Sequence, residues 1–198
     1  NIAKLHKATI KLKLNRTNSL SIKLLPKLLS KIDNRINKLS KDLKLQMRNE
    51  LKKLIKKWPK NLPKGIIHSD LFIDNIFFFR KKFYGFIDFY FSSTDFYLYE
   101  LSTCINALCF DKRYGKYTLN RKKSSNLLKG YETIRKLRHS EKKHFNTLCR
   151  ASALRYLLTR SYDYLNTPKN AIIKIKNPKE YLHKLNFHKN LYKFQDYL

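Results

Sequence analysis

The stretch His68-Ser69-Asp70-Leu71-Phe72-Ile73-Asp74-Asn75, followed after an aromatic run by Ile87-Asp88-Phe89, decides how this chain is read. Ahead of it, Gly65-Ile66-Ile67 reads as a short apolar strand leading into a polar loop. Behind it, Asn75-Ile76-Phe77-Phe78-Phe79 and Phe83-Tyr84-Gly85-Phe86-Ile87-Asp88-Phe89 flank a basic turn, which predicts a β-hairpin over 75–89. With the turn centred between Lys81 and Lys82, Asn75 faces Asp88 at the open end, with Cα atoms about 4.5–5.5 Å apart. An amide oxygen and a carboxylate at that separation can share one hard cation. Mg²⁺ takes oxygen ligands at about 2.0–2.1 Å and keeps waters or substrate phosphates in its other positions. Asp70, five residues before Asn75 on the loop entering the hairpin, reaches the same space without being a ligand. Taken singly, Asn75 reads equally as a turn residue and Asp88 as a strand-end charge.

Outward from this stretch the pattern is helical. Residues 1–9 read as the end of a helix. Pro26 suits a first helical turn and is followed by Leu28, Leu29, Ile32, Ile36 and Leu39. Leu39, Leu43, Met47, Leu51, Leu54, Ile55 and Trp58 recur at spacings that mark one buried helix face, closed by Pro59 and Pro63. From 93 onward helix returns. Asp95 is expected to cap a segment with Leu98, Leu101, Ile105 and Leu108 on one face. Further helices are expected at about 124–138 and 140–165, with a short final one after Asn177-Pro178. The expected fold is α+β: a mostly helical domain with one central hairpin carrying the metal site.

Hydrophobic residues at 42% and aromatics at 14% allow a real core and exclude wholesale disorder. No run of 18 or more apolar residues occurs, so the sequence offers no transmembrane helix and no membrane partner. Three cysteines without paired spacing speak against a disulfide framework or a zinc site and suit a reducing, cytoplasmic setting. Residue 1 is Asn rather than Met, which leaves room for a preceding segment.

The chain carries 44 Lys+Arg against 14 Asp+Glu, a formal net charge of +30. Such a charge suits a nucleic-acid binder. A rival explanation is compositional. Valine is absent, and the chain is rich in Lys, Asn, Ile, Phe and Tyr, as an AT-biased genome would produce. The basic residues are spread along the chain without an arginine-rich block, so a nucleic-acid partner is not expected. The acids are not spread: Asp70, Asp74, Asp88, Asp95 and Glu100 fall within 70–100, against only three bases. So acidic an island in so basic a chain suggests carboxylates held by chemistry.

The assembled motif, H-x-D-x-x-x-x-N followed by I-D-F, resembles the catalytic loop and metal-binding aspartate of kinase-fold phosphotransferases, the group containing aminoglycoside and choline kinases. Residues 62–72, Ile87-Asp88-Phe89-Tyr90-Phe91, 153–160 and Lys176-Asn177-Pro178-Lys179-Glu180-Tyr181 narrow the likeness to the homoserine kinases of that fold. The resemblance implies that Asp70 is the catalytic aspartate, orienting or deprotonating the attacking hydroxyl. Asn75 and Asp88 would hold Mg²⁺ bridging the phosphates of ATP. His68 would buttress the loop, Asp74 would be exposed, and Asp95 would support the next helix as its cap. Arg155 and Arg160 would bind the substrate carboxylate. Glu100 stands in Tyr99-Glu100-Leu101 where such kinases usually have Asp, which leaves its structural role open.

On this resemblance, residues 1–198 are the C-terminal lobe of a protein-kinase-like fold, acting with ATP on L-homoserine in threonine biosynthesis. Nothing before Gly65 supplies a glycine for a loop over the phosphates, so the N-terminal nucleotide lobe is expected to be missing and the fragment inactive by itself. The rivals are a related small-molecule kinase of aminoglycoside or choline type, a basic RNA-binding protein, and a decayed remnant.

Overall fold

A computed structural model of the chain describes residues 1–12, 14–168, 170–172 and 175–198. The first helix, α1 (Ile2–Thr9), lies where expected. The helix expected after Pro26 is broken in two. A short α2 (Leu25–Ser30) carries the proline in its first turn, and a 3₁₀ turn follows at Asn34–Lys38. The break sits at Asp33, whose carboxylate accepts the backbone amide of Arg35 and so offers the chain an alternative to continued helix. Helix α3 (Leu43–Lys56) starts four residues after Leu39, buries Leu43, Met47, Leu51 and Leu54, and leaves Ile55 outside.

Four strands follow: β1 (Lys64–Ile67), β2 (Ile76–Phe79), β3 (Lys82–Phe86) and β4 (Ser93–Phe96). The β2–β3 hairpin forms, but its register differs from the expected one. Arg80 and Lys81 make a two-residue turn with φ of 46° and 64°, one position earlier than predicted. Both central residues at positive φ match the right-handed twist of a hairpin, even without glycine. A bulge after Phe77 then leaves Tyr84 unpaired, so that Ile76 faces Phe86. At the open end Asn75 meets Ile87, whose amide donates to its carbonyl at 3.1 Å, and does not face Asp88.

The hairpin is also not alone. Among the described residues β1 pairs antiparallel with β4, and a further hairpin joins β5 (Phe110–Arg113) to β6 (Lys116–Leu119), between two expected helices where no strand was expected. The β5–β6 turn is Tyr114-Gly115, both at positive φ. Opposite Asp95 on β1 stands Gly65, where an added Cβ would fall 2.0 Å from the Tyr97 hydroxyl, so only glycine lets that ring pack against the strand.

The expected helix-cap role of Asp95 is not what forms. Asp95 stays in β4, accepting from Asn18 Nδ2 and from the Phe96 amide, each at 2.7 Å. Helix α4 (Tyr97–Leu108) begins after it with Phe96 at the cap position and no side-chain cap. Asp95 thus ties the segment around Asn18 to the sheet, and burial raises its pKa.

The rest is helical: α5 (Arg121–Glu132), α6 (His139–Asn166) and α7 (Lys179–Lys189). Helix α6 is the axis of the fold, packing on α4 and α7 and touching α2 and α3. Its middle is buried nearly all round, from Ala151 to Leu158, against Leu98, Leu101 and Ile105 of α4. Cys104, Cys109 and Cys149 are buried and free. Among the described residues no helix is long and apolar enough to cross a membrane.

Candidate active site

The loop after β1 is fixed from every side. Ser69 takes the left-handed conformation, φ 69°, which costs a non-glycine residue free energy and persists only where surroundings impose it. The carboxylate of Glu100, fully buried on the first turn of α4, accepts the backbone amides of both His68 and Ser69. The Ser69 hydroxyl meets that of Ser93 at 3.0 Å. The Ser69 carbonyl accepts from Arg155 at 2.5 Å, and the Tyr156 hydroxyl lies 3.1 Å from it. The extra methylene of Glu100 relative to Asp is therefore used to span from helix to loop.

His68 is a buried strut. The amide of Asp70 donates to its Nδ1 at 3.3 Å, which leaves Nε2 to carry the proton and donate to the Ile87 carbonyl at 2.8 Å. One imidazole thereby joins the loop bearing Asp70 to the residue before Asp88.

Beyond this strut a cavity of about 280 Å³ opens, lined by Asp70, Phe72, Asp74, Asn75, Asp88, Tyr156, Thr159, Arg160, Asp163 and Lys176. Asp70, Asn75 and Asp88 thus share one cavity although the register that was to bring the last two together is not the one formed. Asn75 lies in a 3₁₀ turn just before β2, and Asp88 just past β3 at φ 59°. The side-chain Nδ2 of Asn75 donates to the Asp70 carbonyl at 2.8 Å, which leaves Oδ1 as its free acceptor. Asp70 Oδ1 accepts from the Tyr156 hydroxyl at 2.8 Å, and the Arg155 guanidinium stands 3.9 Å away. Burial raises the pKa of Tyr156 well above the usual value, so that phenol remains a donor.

The two arginines part company. Arg155 is only 2% exposed and does not line the cavity. Its guanidinium is committed to the Ser69 carbonyl and the Tyr156 hydroxyl, so it supports the loop from beneath instead of meeting a substrate carboxylate. Arg160 does line the cavity. It is aimed by Glu180 at 2.6 Å and by the Asn177 carbonyl at 3.4 Å, and lies 4.5 Å over the Tyr181 ring. Asp74 is exposed, as expected.

Sequence reasoning missed Tyr156, Thr159, Asp163 and Lys176. The first three had a signal: with Arg160 they recur at i, i+3, i+4 and i+7, one face of α6, so polar groups there interrupt an otherwise apolar helix. Lys176, with its ammonium 5.2 Å over the Phe72 ring, had none, because it arrives on an irregular segment.

The cavity thus brings together the Asp70 carboxylate, held at one oxygen by Tyr156, and the oxygen-bearing side chains of Asn75 and Asp88. The chain is 47% identical over 133 residues to a homoserine kinase of Xanthobacter autotrophicus, covering 67% of this chain and 40% of that protein. It is 49% identical over 124 residues to the homoserine kinase of Allorhizobium ampelinum, covering 63% and 38%. For the homoserine kinase of Sinorhizobium fredii the figures are 46% over 133 residues, 67% and 40%. The chain spans about 40% of the length of the curated relatives it matches. Residues 1–136, which include Asp70, Asn75 and Asp88, match the family described as "Phosphotransferase enzyme family". With that match over more than half its length, the chain belongs to the phosphotransferase enzyme family.

Proposed function

We propose that the protein transfers the γ-phosphoryl group of ATP to the side-chain hydroxyl of L-homoserine, as the names of its relatives suggest. The observation that carries this reading is the convergence of Asp70, Asn75 and Asp88 on one small cavity, with Asp70 held at one oxygen by Tyr156. In this reading Tyr156 and Arg155 orient the Asp70 carboxylate, and its other oxygen accepts the hydrogen of the acceptor hydroxyl. That hydroxyl oxygen bonds to the γ-phosphorus as the bond to the β–γ bridging oxygen breaks; its proton goes to Asp70 and ADP leaves. Positioning and charge neutralisation supply most of the acceleration in such transfers.

Asn75 and Asp88 fit a hard divalent cation, Mg²⁺ in this reading. Asn75 has its amide nitrogen already engaged and its oxygen left over, and Asp88 is a carboxylate without an ion-pair partner among the described residues. Among those residues no group of three or more His, Cys, Asp and Glu suits a metal, so protein ligands would be few, as with Mg²⁺ shared with phosphates. What the ion supplies when bound is neutralisation of charge on the phosphate oxygens. Arg160 takes the substrate carboxylate. The greater length of the relatives supports placing the elements that cover the phosphates outside residues 1–198. Three free buried cysteines suit the cytoplasm.

The test is a coupled ADP-release assay on the purified full-length protein with Mg²⁺ and ATP. L-homoserine, choline and an aminoglycoside are compared as acceptors. Preferred turnover of homoserine, lost in Asp70→Asn, is expected. Turnover of another acceptor with none of homoserine would overturn the reading.

A further inference from the structure

Four carboxylates line the cavity, and only Asp70 has a cation within 4 Å among the described residues, the 3.9 Å contact with Arg155. Asp74, Asp88 and Asp163 have none, in a chain with 44 basic residues. Asp88 and Asp74 flank the loop and hairpin, on the side read above as the phosphate side. Asp163 is different. It projects from α6, seven residues beyond Tyr156 and three beyond Arg160, on the same helix face.

The pairing that helical spacing offers Asp163 is with Arg160, its i−3 neighbour. That pair is not made, because Glu180 and the Asn177 carbonyl draw the guanidinium away. Arg160 and Asp163 therefore present a cation and an anion side by side, each facing the cavity and neither neutralising the other. Side chains lean toward the N-terminus of their helix, which for Asp163 is toward Arg160 and Tyr156. Tyr156 marks the reacting end, since its hydroxyl touches Asp70. Arg160 and Asp163 follow at rises of about 6 and about 10.5 Å along the axis.

A compact zwitterion answers this order of groups. Homoserine has its hydroxyl two methylenes from a carbon that bears both an ammonium and a carboxylate. We infer that Asp163 binds the α-ammonium of the acceptor beside Arg160 on its carboxylate, so that this i, i+3 pair on α6 makes the site selective for an α-amino acid over a simple hydroxy acid. The inference rests on the proposed reading of homoserine as acceptor and adds the residue that reads its amino group. Asp163 is exposed at the cavity, and what desolvation it has raises its pKa.

The test compares L-homoserine with 4-hydroxybutyrate, which lacks only the amino group, in the full-length protein and in Asp163→Asn and Asp163→Glu. The parent protein is expected to prefer homoserine by about 10- to 100-fold in kcat/KM, the range of a charge-assisted hydrogen bond. Asp163→Asn should remove most of that preference by raising KM for homoserine. Activity on 4-hydroxybutyrate, which offers Asp163 no ammonium, should change far less than activity on homoserine. Asp163→Glu, keeping the charge, should restore part of it. Retained preference in Asp163→Asn, or equal loss on both acceptors, would overturn the assignment of Asp163 alone. Absence of homoserine turnover in the parent protein would overturn both this and the reading beneath it.

Discussion

The backbone amide of Ser69 donates to Glu100 Oε1 at 3.1 Å, so a carboxylate on a helix takes the place of a strand partner for the loop that presents Asp70. The same carboxylate accepts the His68 amide, and both of its oxygens are thereby used inside a fully buried site. Glu100→Gln keeps the shape but turns one acceptor into a donor that faces a backbone N–H. We expect a loss of about 1–3 kcal/mol in unfolding free energy, the cost of a buried unsatisfied group, read from urea denaturation. An unchanged midpoint would show that the loop does not lean on Glu100.

Tyr156 touches Asp70 and the Ser69 carbonyl with one hydroxyl. Tyr156→Phe should lower kcat about tenfold while leaving KM for ATP near its parent value, because orientation of one carboxylate is lost and the cavity wall remains. Steady-state kinetics with both substrates varied separates this from a general loosening, which would raise both KM values. With Asp70 as the proposed proton acceptor, Asp70→Asn should cost about 10²–10⁴ in kcat, the usual contribution of a positioned base.

Asp88→Asn should raise the Mg²⁺ concentration needed for half-maximal activity by about tenfold or more, since a neutral amide holds a hard cation less well than a carboxylate. Titration of activity with Mg²⁺ at fixed ATP checks this. Equal Mg²⁺ dependence in the two proteins would remove Asp88 from the proposed metal ligands.

His188 offers a pH dependence. It is fully buried, its Nδ1 and Nε2 meeting the Tyr197 hydroxyl and Asn106 Oδ1 at 3.0 Å each. Burial first, then Lys184 and Arg150, push its pKa down from 6.5 to about 3. Between those values the unfolded chain binds a proton that the folded chain refuses. Stability is therefore full above pH 6.5 and falls as the pH drops toward 3, by up to about 1.4 kcal/mol per unit. Urea unfolding at pH 7.5 and pH 5.5 should show this loss, and His188→Gln should flatten it. A parent protein equally stable at both values would show that the histidine is not held neutral.

The residues proposed to carry the chemistry could be picked out locally. His68, Asp70, Asn75 and Asp88 stand out by spacing, because a loop between a short strand and a hairpin brings residues close in sequence close in space. The helical periodicities of 39–58 and 140–165 were legible for the same reason, one turn repeating its own apolar face, although the first helix starts only at Leu43. The register of the hairpin was not. It depended on Arg80 and Lys81 both adopting positive φ and on a bulge that leaves out Tyr84, and neither residue type announces that choice. Nor did the sequence disclose that β4 would pair with β1 across 26 residues, which kept Asp95 in a strand and away from the helix cap. The two arginines looked alike along the chain. Only packing turned Arg155 inward beneath Ser69 and left Arg160 to Glu180 and the cavity, because a helix crossing the core buries one face and opens the next. Sequence determines which groups are available and the local order in which they appear. Which of them share a cavity, and which are consumed in holding it open, is decided by contacts between segments far apart in the chain, and those exist only once the core has closed around α6.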